Sequence, residues 1–298
     1  MNNTKKEIIQ EFRKFADETL TLLNNTNMTF NEKASEINKK IKYKKDLMIS
    51  NLQELAEYKN WDKQRILHEI LLITYSSYIV MLEFRNRVWP YEYMAFARRI
   101  GELWEPFCKL VFEYSIKDLS IIDSPKFDNI QNQIKSKALN YIENLEISNE
   151  EKTELKNQYL IPWLMVDSGG IKLSLDLHFE QNGIHYNCDF KSGFSSNEKG
   201  NTNRLLLVAS IYNSLGDIEK TLLFVRQPED ENNHYLQILK KSPYWQVYCS
   251  NNTYEIIEQF TGFNLKKWIN DNIDWQNDID YDFKKHLIKN DLIKYLTW

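Results

Sequence analysis

Residues 173–191 read Leu173-Ser-Leu-Asp-Leu-His-Phe-Glu-Gln-Asn-Gly-Ile-His-Tyr-Asn-Cys-Asp-Phe-Lys191, two runs of alternating apolar and polar residues joined by Asn182-Gly183. Alternation with period two is typical of β-strands, and Asn-Gly suits the two-residue type I′ turn of a β-hairpin. With the turn at this pair, residues whose numbers add to 365 lie opposite each other. The predicted hairpin therefore makes Asp176 and Asp189 direct cross-strand neighbours.

The alternation also divides the hairpin into a polar and an apolar face. Asp176, Asp189 and Lys191 share the polar face. Two acids opposite each other destabilise a sheet by up to about 1 kcal/mol, so their pairing beside a lysine indicates a function. Mg²⁺ prefers one or two carboxylates plus water and phosphate oxygens, and an adjacent ammonium can orient a water. The apolar face is predicted to hold Leu173, Leu175, Leu177, Phe179, Ile184, Tyr186, Cys188 and Phe190.

Two acids on a hairpin, the second within Asp-x-Lys, resemble the PD-(D/E)xK nuclease superfamily. Asp176 matches the first acid and Asp189-Phe190-Lys191 matches the (D/E)xK element, whereas Leu175 stands where the motif has proline. The chain looks most like a type II restriction endonuclease, which implies Mg²⁺-dependent, site-specific cleavage of double-stranded DNA in host defence. Asp167 is the alternative first acid, although Asp-Ser-Gly-Gly is typical of a loop.

The residues after the hairpin support this resemblance. Asn201-Thr202-Asn203 can cap a helix from Arg204 to Leu215 that ends at Gly216, and Thr221 to Arg226 reads as a buried strand. A strand, helix, strand unit of this length implies two parallel strands joined by a right-handed crossover. The predicted fold class is α/β, with a restriction-endonuclease-like core in which helices flank a mixed central sheet.

The resemblance further implies an acid from a helix that precedes the hairpin, often within Gly-x-x-x-Glu. Gly101 and Glu105 fit this spacing, and Glu102 is the substitute. On a helix, Glu102 and Glu105 also share one polar stripe with Arg98 and Lys109, which is typical of a solvated, ion-paired face. Glu105 is the predicted third carboxylate of the active site.

Candidate nucleic-acid contacts lie in the polar segment that follows Lys191. Amide and cationic side chains there can bind base edges or phosphates. The alternative is a polar connection that ends in a helix cap. The candidate residues are Asn197, Lys199, Asn201, Asn203 and Arg204.

Composition places the chain among globular proteins. It has 298 residues, of which 42% are hydrophobic and 27% charged, and a net charge of −4. An acidic chain can still bind DNA through a local basic groove. The N-terminus lacks the apolar core of a signal peptide, and we expect a cytoplasmic location.

Helical periodicity in the first part of the chain predicts two regions. Residues 1–90 form a helical N-terminal region, and residues 91–298 form the nuclease core with C-terminal helices. A homodimer would present one active site to each strand of a palindromic target. Two alternatives remain: a DNA nuclease of the same fold for repair or junction resolution, and a non-catalytic α/β module that binds DNA or protein.

Overall fold

The computed structural model describes residues 4–166, 172–194, 198–216 and 218–298. The α-helices are α1 (Lys5–Asn24), α2 (Phe30–Tyr58), α3 (Lys63–Val88), α4 (Tyr93–Glu113), α5 (Phe127–Glu143), α6 (Asn149–Val166), α7 (Lys199–Leu215), α8 (His234–Lys241), α9 (Asn251–Thr261), α10 (Leu265–Asn272), α11 (Trp275–Asp278) and α12 (Tyr281–Lys289). The strands are β1 (Ser120–Ile121), β2 (Leu177–Gln181), β3 (Ile184–Lys191), β4 (Glu219–Val225) and β5 (Trp245–Cys249).

The chain forms two compact units. The helical unit comprises Met1–Asp118 and Asn251–Trp298, and the sheet unit comprises Leu119–Ser250. This division differs from the predicted boundary at residue 90, because α4 and the C-terminal helices belong with the N-terminal helices. A buried hydrogen bond of 2.9 Å from Trp104 Nε1 on α4 to the Tyr254 hydroxyl on α9 illustrates the packing that joins them.

Helix α3 lies at the centre of the helical unit. Its N-terminus is capped by Asp62, whose carboxylate accepts from the Arg65 N–H at 2.7 Å. By length and composition this helix could cross a membrane, but 83% of its most apolar window is buried inside the protein. Among the described residues no other helix passes that test. A helix that is apolar all round and packed on all sides is typical of a protein core.

A buried ion pair joins α1 to α3 in the helical unit. Arg13 donates from Nε and Nη2 to the two carboxylate oxygens of Glu83, at 2.9 and 2.6 Å, and Glu83 is 0% exposed. The Asp280 N–H also donates to Glu83, at 2.7 Å, and Arg13 donates to the Asp278 carbonyl at 2.7 Å. The pair therefore also holds the segment that precedes α12.

The sheet has the strand order β1-β2-β3-β4-β5. Its first three strands are antiparallel neighbours, and β3, β4 and β5 run parallel. Leu177 lies opposite Cys188, which confirms the predicted hairpin register. Asn182 and Gly183 have φ angles of 55° and 76°, as a type I′ turn requires.

Helix α7 connects β3 to β4, and the predicted parallel crossover is confirmed. The helix ends before Gly216, as expected. It begins at Lys199, however, so the prediction that Asn201-Thr202-Asn203 cap it was wrong. The Thr202 N–H already donates to the Glu198 carbonyl at 2.8 Å, and the buried Thr202 side chain continues the apolar face of the helix.

The core of the sheet unit lies between the sheet and helices α5, α7 and α8. Leu223 and Val225 of β4 contribute to this core. Because Leu223 lies beside Asp189 and Val225 beside Lys191 in parallel register, Asp189 and Lys191 point toward α7. Other residues of this core include Leu173, Leu175, Leu205, Val208, Ala209 and Tyr212.

The position of Leu173 and Leu175 in this core corrects one sequence-based prediction. The alternation places them on the face opposite Asp189, whereas they pack with Leu223 and α7. The reason is local: β2 begins only at Leu177, and the regular alternation stops at Asp176.

Candidate active site

The backbone leaves the antiparallel ladder at Asp176. A continued ladder would place Leu175 opposite Phe190, but neither amide follows that pattern. The Phe190 N–H donates to the Asp176 carboxylate oxygen Oδ2 at 2.8 Å, and the Leu175 N–H donates to His178 Nε2 at 3.0 Å. Two side chains thus replace the next pair of backbone partners, and this change in direction places the Asp176 carboxylate against β3.

The negative charge of the Asp176 carboxylate raises the pKa of the Asp189 carboxyl. The predicted direct cross-strand pairing of Asp176 with Asp189 is not part of the ladder, whose last pair is Leu177 with Cys188. The Asp176 carboxylate instead accepts from the N–H of Phe190, the residue next to Asp189. The other oxygen of Asp176, Oδ1, has no hydrogen bond among the described residues.

The Asp189 carboxylate is buried between two cations. Its residue is 1% exposed, Lys191 Nζ donates to Oδ1, and Arg204 Nη2 donates to Oδ2 at 3.4 Å. Burial raises the pKa of the Asp189 carboxyl, and the negative charge of Asp176 raises it further. Lys191 and Arg204 act in the opposite direction by stabilising the ionised form.

Lys191 is the last residue of β3, with a side chain that is 19% exposed. Its carbonyl accepts from the Arg226 N–H at 2.9 Å, and the Arg226 guanidinium donates from Nη2 to the Ser192 hydroxyl at 2.7 Å. These contacts join the segments that follow β3 and β4. In α/β proteins, ligands bind at the carboxyl ends of parallel strands, which is where Lys191 and Arg226 lie.

Arg226 is a candidate that the sequence analysis did not single out. The available signal was its position, a cation directly after a strand predicted to be buried. Its tie to Ser192 places a guanidinium beside the segment that leaves Lys191.

Glu105 lies on α4, in the helical unit, whereas the two aspartates belong to the sheet unit. Its carboxylate is 3.5 Å from Lys109 Nζ. Glu102 pairs with Arg98 at 2.9 Å and with Arg99 at 3.4 Å. These contacts match the ion-paired helix face that the spacing also allows, and the role of Glu105 as a third carboxylate stays a prediction.

The predicted nucleic-acid contacts fall mainly on the first turns of α7. Lys199 and Asn203 are exposed there. Asn201 donates to the Glu198 carboxylate at 3.1 Å, and Arg204 contacts Asp189. The structure thus brings one of these residues into the aspartate site and leaves two open to a ligand. Their contact with DNA stays a prediction.

Two sequence-based candidates lie outside the described residues. Asn197 falls within 195–197 and Asp167 within 167–171. The assignment of Asn197 to nucleic-acid binding and of Asp167 as an alternative first acid therefore both stay as predictions.

The donor set at the hairpin fits Mg²⁺. The ion binds through one or two carboxylates and retains water molecules, which Asp176 and Asp189 satisfy. Their mutual repulsion in a buried place is also what a divalent cation would neutralise. Within the described residues, no group of three or more His, Cys, Asp or Glu side chains is placed to share a metal.

No model of a known protein family, no curated protein and no solved structure matches this chain.

Proposed function

We propose that this protein is a Mg²⁺-dependent endonuclease that hydrolyses phosphodiester bonds of double-stranded DNA, similar to type II restriction enzymes of the PD-(D/E)xK superfamily. The observation that carries the proposal is the convergence of Asp176, Asp189 and Lys191 on the last residues of β3, where Asp176 accepts from the Phe190 N–H and Lys191 donates to Asp189. A carboxylate as buried as that of Asp189 requires cations to compensate its charge, and the partly buried Asp176 carboxylate near it adds oxygen ligands for a divalent cation.

The fold supports the same proposal. An antiparallel hairpin followed by the α7 crossover to a parallel strand is the arrangement that the resemblance implies. Helix α7 covers the face on which Asp189 lies, and its Arg204 reaches the carboxylate. The proposed core is therefore restriction-endonuclease-like.

Each residue has a distinct part in the proposed reaction. Asp176 and Asp189 would hold Mg²⁺, which supplies positive charge to the phosphorane-like transition state and the leaving oxygen. Lys191 orients the attacking water, and Arg204 donates hydrogen bonds to a phosphate oxygen. The water oxygen bonds to phosphorus and gives up one proton to solvent, one P–O ester bond breaks, and the leaving alkoxide takes up a proton from solvent.

A cytoplasmic homodimer is part of this proposal. A two-fold pair of chains would present one active site to each strand of a palindromic sequence. Lys199 and Asn203, which are exposed on α7, are proposed to contact the DNA beside the cleavage site. Asn197 and Asn201 are proposed to contact the DNA as well.

The test is incubation of the purified full chain with a long duplex DNA of known sequence, with and without Mg²⁺, followed by mapping of the ends. Asp189→Asn keeps the shape of the side chain but removes its charge, and Asp230→Asn, at an exposed position of the sheet unit, is the matched control. We expect discrete fragments from the wild type and the control only. Intact DNA under every divalent metal would reject the proposal and favour a binding module, which a metal-independent gel shift would detect.

A further inference from the structure

A directional hydrogen-bond network lies on the same face of the hairpin as Asp189. His178 Nε2 receives the Leu175 N–H at 3.0 Å, and because a backbone amide can only donate, this ring nitrogen must be the acceptor. His178 Nδ1 then carries the proton and donates to Asn187 Oδ1 at 2.7 Å. The contacts themselves thus define the tautomer of His178.

The network ends at a carboxylate. Asn187 Nδ2 donates to Glu219 Oε2 at 2.7 Å, and His185 Nδ1 lies 2.9 Å from Glu219 Oε1. His178 and Asn187 are 6% and 1% exposed. Each donor in this buried chain meets an acceptor, so the ring of His178 has one favoured orientation.

The Leu175 amide that His178 accepts lies directly before the start of β2. If the ladder continued, the Leu175 N–H would donate to the Phe190 carbonyl and the Phe190 N–H to the Leu175 carbonyl. His178 holds the first of these donors, and Asp176 Oδ2 holds the second. Without an acceptor at His178, the buried Leu175 N–H either stays unpaired or donates to the Phe190 carbonyl. In the second case the restored ladder pair also draws the Phe190 N–H to the Leu175 carbonyl and away from the Asp176 carboxylate.

We propose that His178 is a positioning residue for Asp176: it removes the Leu175 amide from the ladder and thereby turns the Asp176 carboxylate toward Phe190 and Asp189. The expected effect of His178 on metal binding and DNA cleavage rests on the proposed function. The expected effect on the hydrogen bond between the Phe190 N–H and Asp176 does not.

Three substitutions separate the two hydrogen bonds of the ring. His178→Gln keeps an acceptor near the position of Nε2, His178→Asn keeps a polar group near Nδ1 only, and His178→Leu keeps neither. His185→Gln, at the far end of the same network, is the matched control. Thermal unfolding first establishes that each variant is folded.

Two measurements do not require nuclease activity. Amide exchange of selectively labelled phenylalanine reports on the Phe190 N–H that Asp176 accepts, and calorimetry with Mg²⁺ alone reports on the paired acids. We expect His178→Leu and His178→Asn to lose Phe190 protection and to bind Mg²⁺ about 10- to 100-fold more weakly, as when a group behind a metal ligand is removed. His178→Gln and His185→Gln should retain both properties. DNA cleavage should follow the same order.

Wild-type protection and Mg²⁺ affinity in a folded His178→Leu variant would overturn the inference. If His178→Leu does not fold, the comparison of His178→Gln with His178→Asn decides. Equal Phe190 protection and Mg²⁺ affinity in these two variants would contradict a role through Leu175, and so would wild-type values in His178→Asn alone. If the wild type cleaves no DNA, the proposed function fails, but Phe190 exchange still decides whether His178 positions Asp176.

Discussion

Replacing Lys191 by methionine should destabilise the protein in a pH-dependent way. Methionine keeps the length of the buried alkyl stem and removes only the ammonium that donates to Asp189. Because the Asp189 residue is 1% exposed, its carboxylate cannot recover the lost interaction from water. The substitution therefore tests whether the lysine maintains a charged aspartate in the core.

The magnitude follows from the contacts that remain. Removing one partner of a buried ion pair costs about 3–5 kcal/mol, and Arg204 still donates to Asp189 Oδ2 at 3.4 Å. We therefore expect a loss of about 2–3 kcal/mol in the free energy of unfolding at pH 7, below the full cost of an unpaired charge.

The sign of the pH dependence follows from the pKa of Asp189. Burial raises this pKa, and in the variant the Lys191 charge that lowers it is removed. An acid whose pKa is raised by folding contributes stability below its unfolded value of about 3.9, and this contribution is lost as the pH rises through the folded pKa. Lys191→Met extends this loss to higher pH. The two proteins should thus be most similar near pH 4 and differ most above the raised pKa.

Urea unfolding followed by far-ultraviolet circular dichroism, between pH 4 and pH 8, measures this difference. Asp189→Asn combined with Lys191→Met completes a double-mutant cycle and should recover most of the stability, because no buried charge then remains unpaired. An equal loss at pH 4 and pH 7, or no loss at pH 7, would refute the reasoning.

Three further predictions concern other parts of the chain. Arg13→Met should lower the free energy of unfolding by about 3–5 kcal/mol in urea, because Glu83 loses its bidentate partner, and Glu83→Met in the same chain should recover most of it; additive losses would contradict this. The Thr29 backbone N–H and hydroxyl lower the pKa of Glu32, so this capping box stabilises the start of α2 above the unfolded pKa of about 4.3 and loses that effect as the pH falls through the lowered value. Glu32→Gln should abolish this pH dependence in amide exchange of residues 30–33, and an unchanged profile would speak against the cap. Asn182→Ala should cost about 1–2 kcal/mol in thermal unfolding because φ is 55°, whereas Asn182→Gly should cost less; equal losses would exclude backbone strain as the cause.

Local chemistry made much of the sheet unit predictable. The Asn182-Gly183 turn requires two left-handed residues and thereby sets the register of β2 and β3, as far as Leu177 opposite Cys188. The parallel pair of β3 and β4 followed from a buried strand, a helix and a second buried strand in succession.

The start of α7 was less predictable. Asn201, Thr202 and Asn203 all favour helix caps, but the helix begins at Lys199. Packing of Thr202 and Leu205 in the core outweighs the weak preference of these residues for the cap position. Helix ends are therefore determined by tertiary contacts as much as by propensity.

The sequence by itself determined the hairpin and its register, because turn geometry and period-two alternation act over a few residues. Only the tertiary structure decided that β2 begins after Asp176, that Asp189 is buried beneath α7, and that α4 belongs with the C-terminal helices. These features depend on contacts with residues distant in the sequence and on the His178 side chain, which takes the place of a backbone partner. Local preferences carry no information about such partners.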